Sequence, residues 1–190
     1  MIAWLCAVGA GAAAVLVVAS GVVKVHRPRV AAAAMQGLPF VLRRPETAIA
    51  LGCVEVAAGS AWLVVPGLAS GAALAGLYTA FAGYTLVASR AGSEPATCGC
   101  FGSASARLGR SHLLFNCVAA LIVAGAVASG PRHLFASDHI AAELVVGLQL
   151  VVIAFLSYLL LTEFSAAFAA YGTKHGTAST HSRSQEGERA

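Results

Sequence analysis

Residues 3–23 read AWLCAVGAGAAAVLVVASGVV, and Lys24 is the first charged side chain in the chain. At ~1.5 Å of rise per residue such a run forms a helix about 30 Å long, the thickness of one bilayer core. Four further apolar runs follow, at about 46–65, 68–89, 111–129 and 140–162. Hydrophobic residues make up 58% of the chain and charged residues 11%, against about 25% charged in a soluble domain. A chain this apolar cannot cover itself with polar surface, so lipid is its solvent. The reading is an all-α, polytopic transmembrane helix bundle of about five spans, multi-pass in the plasma (inner) membrane.

Breaks between the runs are sharp. The first ends in Lys24, His26, Arg27, Pro28 and Arg29. Residues 30–42 are apolar but too short to span, and read as an interfacial or re-entrant piece. Pro66-Gly67 joins the second and third runs so tightly that they form a hairpin. Gly130-Pro131 ends the fourth. The transmembrane domain is placed at 1–165, and the polar Gly/Ser/Thr/His-rich stretch 166–190 is expected to be a disordered tail. Residues 1–20 lack the basic n-region of a signal peptide, so an uncleaved first helix is expected. Gly9, Ala13 and Gly21 in the first helix, and Gly71, Ala75, Gly76, Ala80 and Gly83 in the third, are small residues suited to close helix approach.

The most specific chemical feature lies in the polar connection 91–110, which carries Thr97-Cys98-Gly99-Cys100-Phe101-Gly102. Two cysteines one residue apart can close a small disulfide ring that departs from relaxed geometry and is easily reduced. That suits thiol–disulfide exchange. A static crosslink or half of a metal site are the alternatives, with Cys53, Cys117 and His112 as further possible ligands. Cys53 and Cys117 are also candidates for a second thiol pair beneath the first, although a free cysteine in a helix behaves as a small hydrophobe. With five cysteines at least one is unpaired in the monomer, and Cys6 is read as packing.

Because spans alternate direction, Lys24, Cys53, Glu55, Cys98, Cys100, Asn116 and Cys117 fall toward one end of the bundle and Cys6 toward the other. A carboxylate within a span must pair, protonate or face a polar cavity. Lys24 is the nearest partner for Glu55 by depth, and a nearby ammonium lowers a thiol pKa. Asn116 is suited to an interhelical hydrogen bond. The remaining acids and the six histidines lie near helix ends or in the tail, where solvated positions are expected.

Three segments taken together resemble the MauE family of methylamine-utilisation membrane proteins, related to the DoxX-like group. They are Gly21-Val22-Val23-Lys24-Val25, Glu55-Val56-Ala57-Ala58-Gly59 and Cys98-Gly99-Cys100-Phe101-Gly102. The resemblance covers about residues 1–130 and implies a four-helix core to which the fifth helix is added. Phe115 stands where the family tends to place an arginine before Asn116. It further implies a role in maturing a partner with thiols or disulfides, in name-giving members the small subunit of methylamine dehydrogenase. Cys98 and Cys100 would be the exchange pair, Lys24, Glu55 and Asn116 supporting residues, and a membrane quinone or soluble thiol carrier the electron partner. No resident cofactor or metal is assigned.

Charge sets sidedness. Eleven of the twelve Lys and Arg residues lie on the face that includes the cysteine connection, and Arg132 is alone on the other. By the positive-inside rule the cysteines face the cytoplasm, whereas disulfide formation favours the opposite side. A non-catalytic assembly subunit and a metal-handling membrane protein are the competing functions. No P-loop, dinucleotide fingerprint or serine-type triad is present, and the net charge of +4 is too small and scattered for a nucleic-acid partner.

Overall fold

The computed structural model describes residues 2–35, 43–90, 110–130 and 140–159, all in helices and the turns that bound them. In order the helices are α1 (Ile2–His26), α2 (Pro28–Ala34), α3 (Pro45–Val64), α4 (Leu68–Arg90), α5 (Arg110–Ala128) and α6 (Ile140–Leu159). Four of them, α1, α3, α4 and α5, are long and apolar enough to cross a membrane. The fifth, α6, has 20 residues, with Val146–Leu159 as its apolar part. The polytopic bundle expected from the apolar runs is therefore present, with boundaries within a few residues of the expected ones. Part of the interfacial stretch folds as the short helix α2, started by Pro28 at a position where proline is well tolerated. Residues 36–42 and the tail from 160 onward lie outside the described residues.

Helix α1 is the centre of the bundle and packs on α2, α3, α5 and α6. Its sequence explains why. Ala10, Ala12, Ala13 and Ala14 are all nearly inaccessible, and side chains this small let several neighbours come close at once. Lipid is as apolar as leucine, so burying large side chains brings no transfer gain between helices; close backbone approach takes over. The large residues accordingly point outward: Val54, Val64, Val87, Leu114, Leu121 and Phe155 are all exposed on the helix exteriors.

The closest seam is α1 against α3. A Cβ built on Gly21 would lie 2.5 Å from the carbonyl oxygen of Gly52, and one on Gly52 would lie 2.7 Å from that of Gly21. Gly59 meets the Ala14 carbonyl in the same way, at 2.8 Å. No side chain fits at these crossings. The small residues of α4 divide: Gly71 is pressed against Val127 and Trp62, while Gly76 and Gly83 have nothing within 4 Å and face outward.

The α3–α4 hairpin turns at Pro66-Gly67 as expected. Ser70 accepts a hydrogen bond from the Gly67 amide at 3.0 Å and donates to the Val65 carbonyl at 2.8 Å, which closes the turn. Ala13, Val17, Trp62, Leu74, Tyr78 and Val123 lie in the main core. The Tyr78 hydroxyl donates to the Ala13 carbonyl at 2.8 Å and so ties α4 to α1. Helix α6 docks on α1, with Leu150 and Ala154 buried while the rest of its described surface is largely exposed.

Candidate functional site

Lys24 sits in the last turn of α1, but it does not join the exposed basic cluster that follows. It is 3% exposed and turned inward. The Gly21–Gly52 contact brings α1 and α3 backbone to backbone, and this places the Lys24 side chain beside Glu55, one helical turn further along α3. The Lys24 Nζ donates to Glu55 Oε2 at 2.8 Å and to Ser20 Oγ at 2.5 Å. Ser20 is one turn before Lys24 on the same helix. The pairing expected from depth is thus present.

Helix α4 closes the other side of the ammonium. Lys24 Nζ lies 5.8 Å from the centroid of the Phe81 ring, a distance at which the ring face attracts a cation. Phe81 meets Tyr78 edge-on, and Tyr78 meets Phe115 of α5 in the same manner, both with centroids 6.3 Å apart. Phe115 therefore fills its position with an apolar ring packed on the Tyr78 tether. The second carboxylate oxygen, Glu55 Oε1, is buried and has no hydrogen-bond partner. A low-dielectric pair of this kind holds together only while both partners are present.

His112, in the first turn of α5, is the residue that sequence reasoning misplaced. Expected to be solvated, it is 6% exposed, and its Nδ1 is buried without a hydrogen-bond partner. The signal was its spacing: His112, Phe115, Ala119, Val123 and Ala126 recur every three or four residues and form the inward stripe of α5. Helices α1 and α5 run antiparallel, with Gly9 against Ile122 and Cys6 against Gly125. Ten residues along each helix, His112 is about level with Ala19, next to Ser20. Four helices thus contribute to one layer: Ser20 and Lys24, Glu55, Phe81, and His112.

The other sequence-predicted residues are placed less centrally. Asn116 is half-buried on α5 beside Phe115. Cys53 and Cys117 are free thiols and both exposed. Their helices are not principal neighbours, since α3 packs on α1, α2 and α4 while α5 packs on α4 and α1. The structure does not bring these two thiols together. Cys6, also free, lies toward the opposite end against Gly125. Among the described residues no three His, Cys, Asp or Glu side chains gather as a metal site. Cys98 and Cys100 lie outside the described residues, but their connection is tethered at Arg90 and Arg110. Those are the α4 and α5 termini at the end of the bundle where α1 finishes.

No curated protein and no solved structure matches this chain. The family model described as methylamine utilisation protein MauE matches residues 2–130, from the start of α1 to the turn that ends α5, and so takes in every residue of the buried polar layer. With four membrane-spanning helices in place and about two-thirds of its 190 residues matched, the chain is a multi-pass membrane protein and belongs to the MauE family.

Proposed function

We propose that this chain is a membrane-embedded thiol–disulfide maturation factor whose exchange pair is Cys98 and Cys100. The observation that carries the reading is the Cys-Gly-Cys motif in the connection between two spanning helices of a MauE-family chain. A partner thiolate attacks the loop disulfide, a mixed disulfide forms, and a second partner thiol resolves it. The partner leaves oxidised and the loop pair is reduced. Reoxidation then needs a two-electron acceptor, either a membrane quinone or a soluble thiol carrier. Lys24 and Glu55, which tie α1 to α3, are the proposed conditioning residues, and Asn116 is a supporting one. A disulfide-rich subunit, such as the methylamine dehydrogenase small subunit suggested by the family's role in methylamine utilisation, is the class of partner proposed, and the plasma (inner) membrane is the proposed location.

The test is trapping. In Cys100→Ser oxidation of the partner should be lost, and the remaining Cys98 thiolate, attacking the disulfide of the already oxidised partner and displacing one of its thiols, should accumulate as a mixed disulfide, visible as a reductant-sensitive shift on a non-reducing gel. Normal partner disulfides in a Cys98→Ser/Cys100→Ser strain would overturn the reading and favour an assembly subunit that works by contact alone.

A further inference from the structure

We propose that Arg27, Arg29, Arg43 and Arg44 form a binding site for the headgroup of an anionic phospholipid, whose acyl chains lie along the exposed apolar surface beside the α1–α3 seam. The inference goes beyond the function proposed above and does not depend on it.

The fold brings the four arginines together. The α1–α3 seam is antiparallel: Gly59 meets Ala14 and, two turns on, Gly52 meets Gly21. Continued outward, that register sets His26, the end of α1, level with Thr47 in the first turn of α3. The chain then turns into α2, which at ~1.5 Å per residue is about 10 Å long. Helix α2 lies against α3, with Ala31, Ala32 and Met35 packed with Ala48 and Leu51. Ala31 and Ala48 each follow an arginine by one turn. The Ala31 amide donates to the Arg27 carbonyl at 3.1 Å, and the Ala48 amide to the Arg44 carbonyl at 3.2 Å. Arg27 and Arg29 at the start of α2 thus share one end of the α1–α3 pair with Arg43 and Arg44 at the start of α3. All four are exposed, and so is His26.

Two features say what covers this patch. The first is charge. Glu46 is the acid in the first turn of α3, so four guanidinium groups accompany one carboxylate. Lys24 adds nothing to the patch, since its ammonium is turned into the interior on Glu55. A guanidinium grips a phosphate through two parallel N–H···O bonds.

The second feature is depth. The arginines begin where the apolar span ends, which is the level of the headgroup phosphates. Directly inside them Val22, Val25 and Ile49 are 41%, 38% and 38% exposed. Val25 borders the seam, its Cγ2 being 3.0 Å from a Cβ built on Gly52. A free phosphate would use the arginines alone. A phosphate joined to acyl chains uses both surfaces at once. The excess of positive charge selects a headgroup that has no ammonium of its own.

The experiment titrates the full chain, in a neutral detergent, with phosphatidylglycerol or with phosphatidylcholine of the same acyl chains. Bound lipid is read by native mass spectrometry. Each arginine near the surface contributes about fivefold to affinity for an anionic lipid. Arg27→Gln/Arg29→Gln/Arg44→Gln should therefore bind phosphatidylglycerol about 100-fold more weakly than wild type. Its phosphatidylcholine binding should be unchanged, which also reports that it is folded. Arg27→Lys/Arg29→Lys/Arg44→Lys keeps the charge and loses the fork, and should stay within about tenfold of wild type. Arg90→Gln, at the same end of the bundle but on α4, should stay within about twofold. Millimolar inorganic phosphate should not displace the lipid. A wild-type chain with no preference for phosphatidylglycerol would overturn the proposal, as would a triple Gln variant that binds it as well as wild type. A loss in Arg90→Gln as large as in the triple variant would do the same, because any basic charge at that end would then serve. Displacement by phosphate would reduce the patch to a plain anion site and overturn the lipid assignment.

Discussion

The Lys24 ammonium and the Glu55 carboxylate meet at 2.8 Å in the bundle interior, their side chains 4% and 0% exposed. Removing either partner leaves a charge that the helix interior cannot solvate. Lys24→Ala and Glu55→Ala should each lower stability by about 3–5 kcal/mol. The double variant Lys24→Met/Glu55→Leu should recover most of that loss, because both charges go together. Unfolding of the detergent-solubilised chain, read by circular dichroism or protease sensitivity, checks this. Single variants as stable as wild type would show that the pair is not the interior tie described here.

The α1–α3 seam makes a contrast between glycines. In Gly52→Ala the new methyl meets the Gly21 carbonyl at 2.7 Å, and backbone cannot move aside cheaply. A loss of about 1–3 kcal/mol is expected. Gly76→Ala, with nothing within 4 Å, should be neutral or gain up to about 1 kcal/mol from helix propensity. Side-by-side thermal unfolding of the two variants gives the answer, and equal effects would argue against this seam.

The 2.8 Å bond from the Tyr78 hydroxyl to the Ala13 carbonyl spans two helices. Tyr78→Phe keeps the ring contacts with Phe81 and Phe115 and removes the hydroxyl that makes this bond. It should cost about 0.5–1.5 kcal/mol, whereas Tyr78→Ala should cost more by emptying the centre of the core. The two midpoints, compared in one denaturant series, decide the matter.

Much of this was legible in the sequence, and the reasons are specific. Spans follow from apolar length alone, so the bundle and the Pro66-Gly67 hairpin could be read directly. The Lys24–Glu55 pair could be read from depth, because a charge within a span has few places to go. The side of each helix was harder to read. In lipid both faces are apolar, and an amphipathic pattern no longer marks the core. Ser20 and Phe81 around the ammonium were missed for that reason. Gly76 and Gly83 read as packing residues yet face outward. His112 was read as solvated because it lies near a helix end, although its spacing with Ala119 and Val123 places it inside. The paired cysteines of the motif lie outside the described residues, so their role rests on the sequence and the family.

Cys53 and Cys117 are free and exposed on helices that are not principal neighbours. A membrane-permeant maleimide should label both without prior reduction, and mild oxidation should not crosslink them within one chain. Cys53→Ser/Cys117→Ser should leave exchange at Cys98 and Cys100 unchanged. An intramolecular Cys53–Cys117 bond, found by mass spectrometry of non-reduced peptides, would restore the two thiols as a second redox pair.

The most direct measurement labels Cys98 and Cys100 with a membrane-impermeant thiol reagent in intact cells and in inverted vesicles, before and after reduction. A variant lacking Cys6, Cys53 and Cys117 serves as the background. The account predicts no labelling before reduction, labelling of both cysteines after mild reduction, and labelling from one side only. Cysteines that label fully without reductant, or that stay unlabelled from both sides under strong reductant, would contradict it.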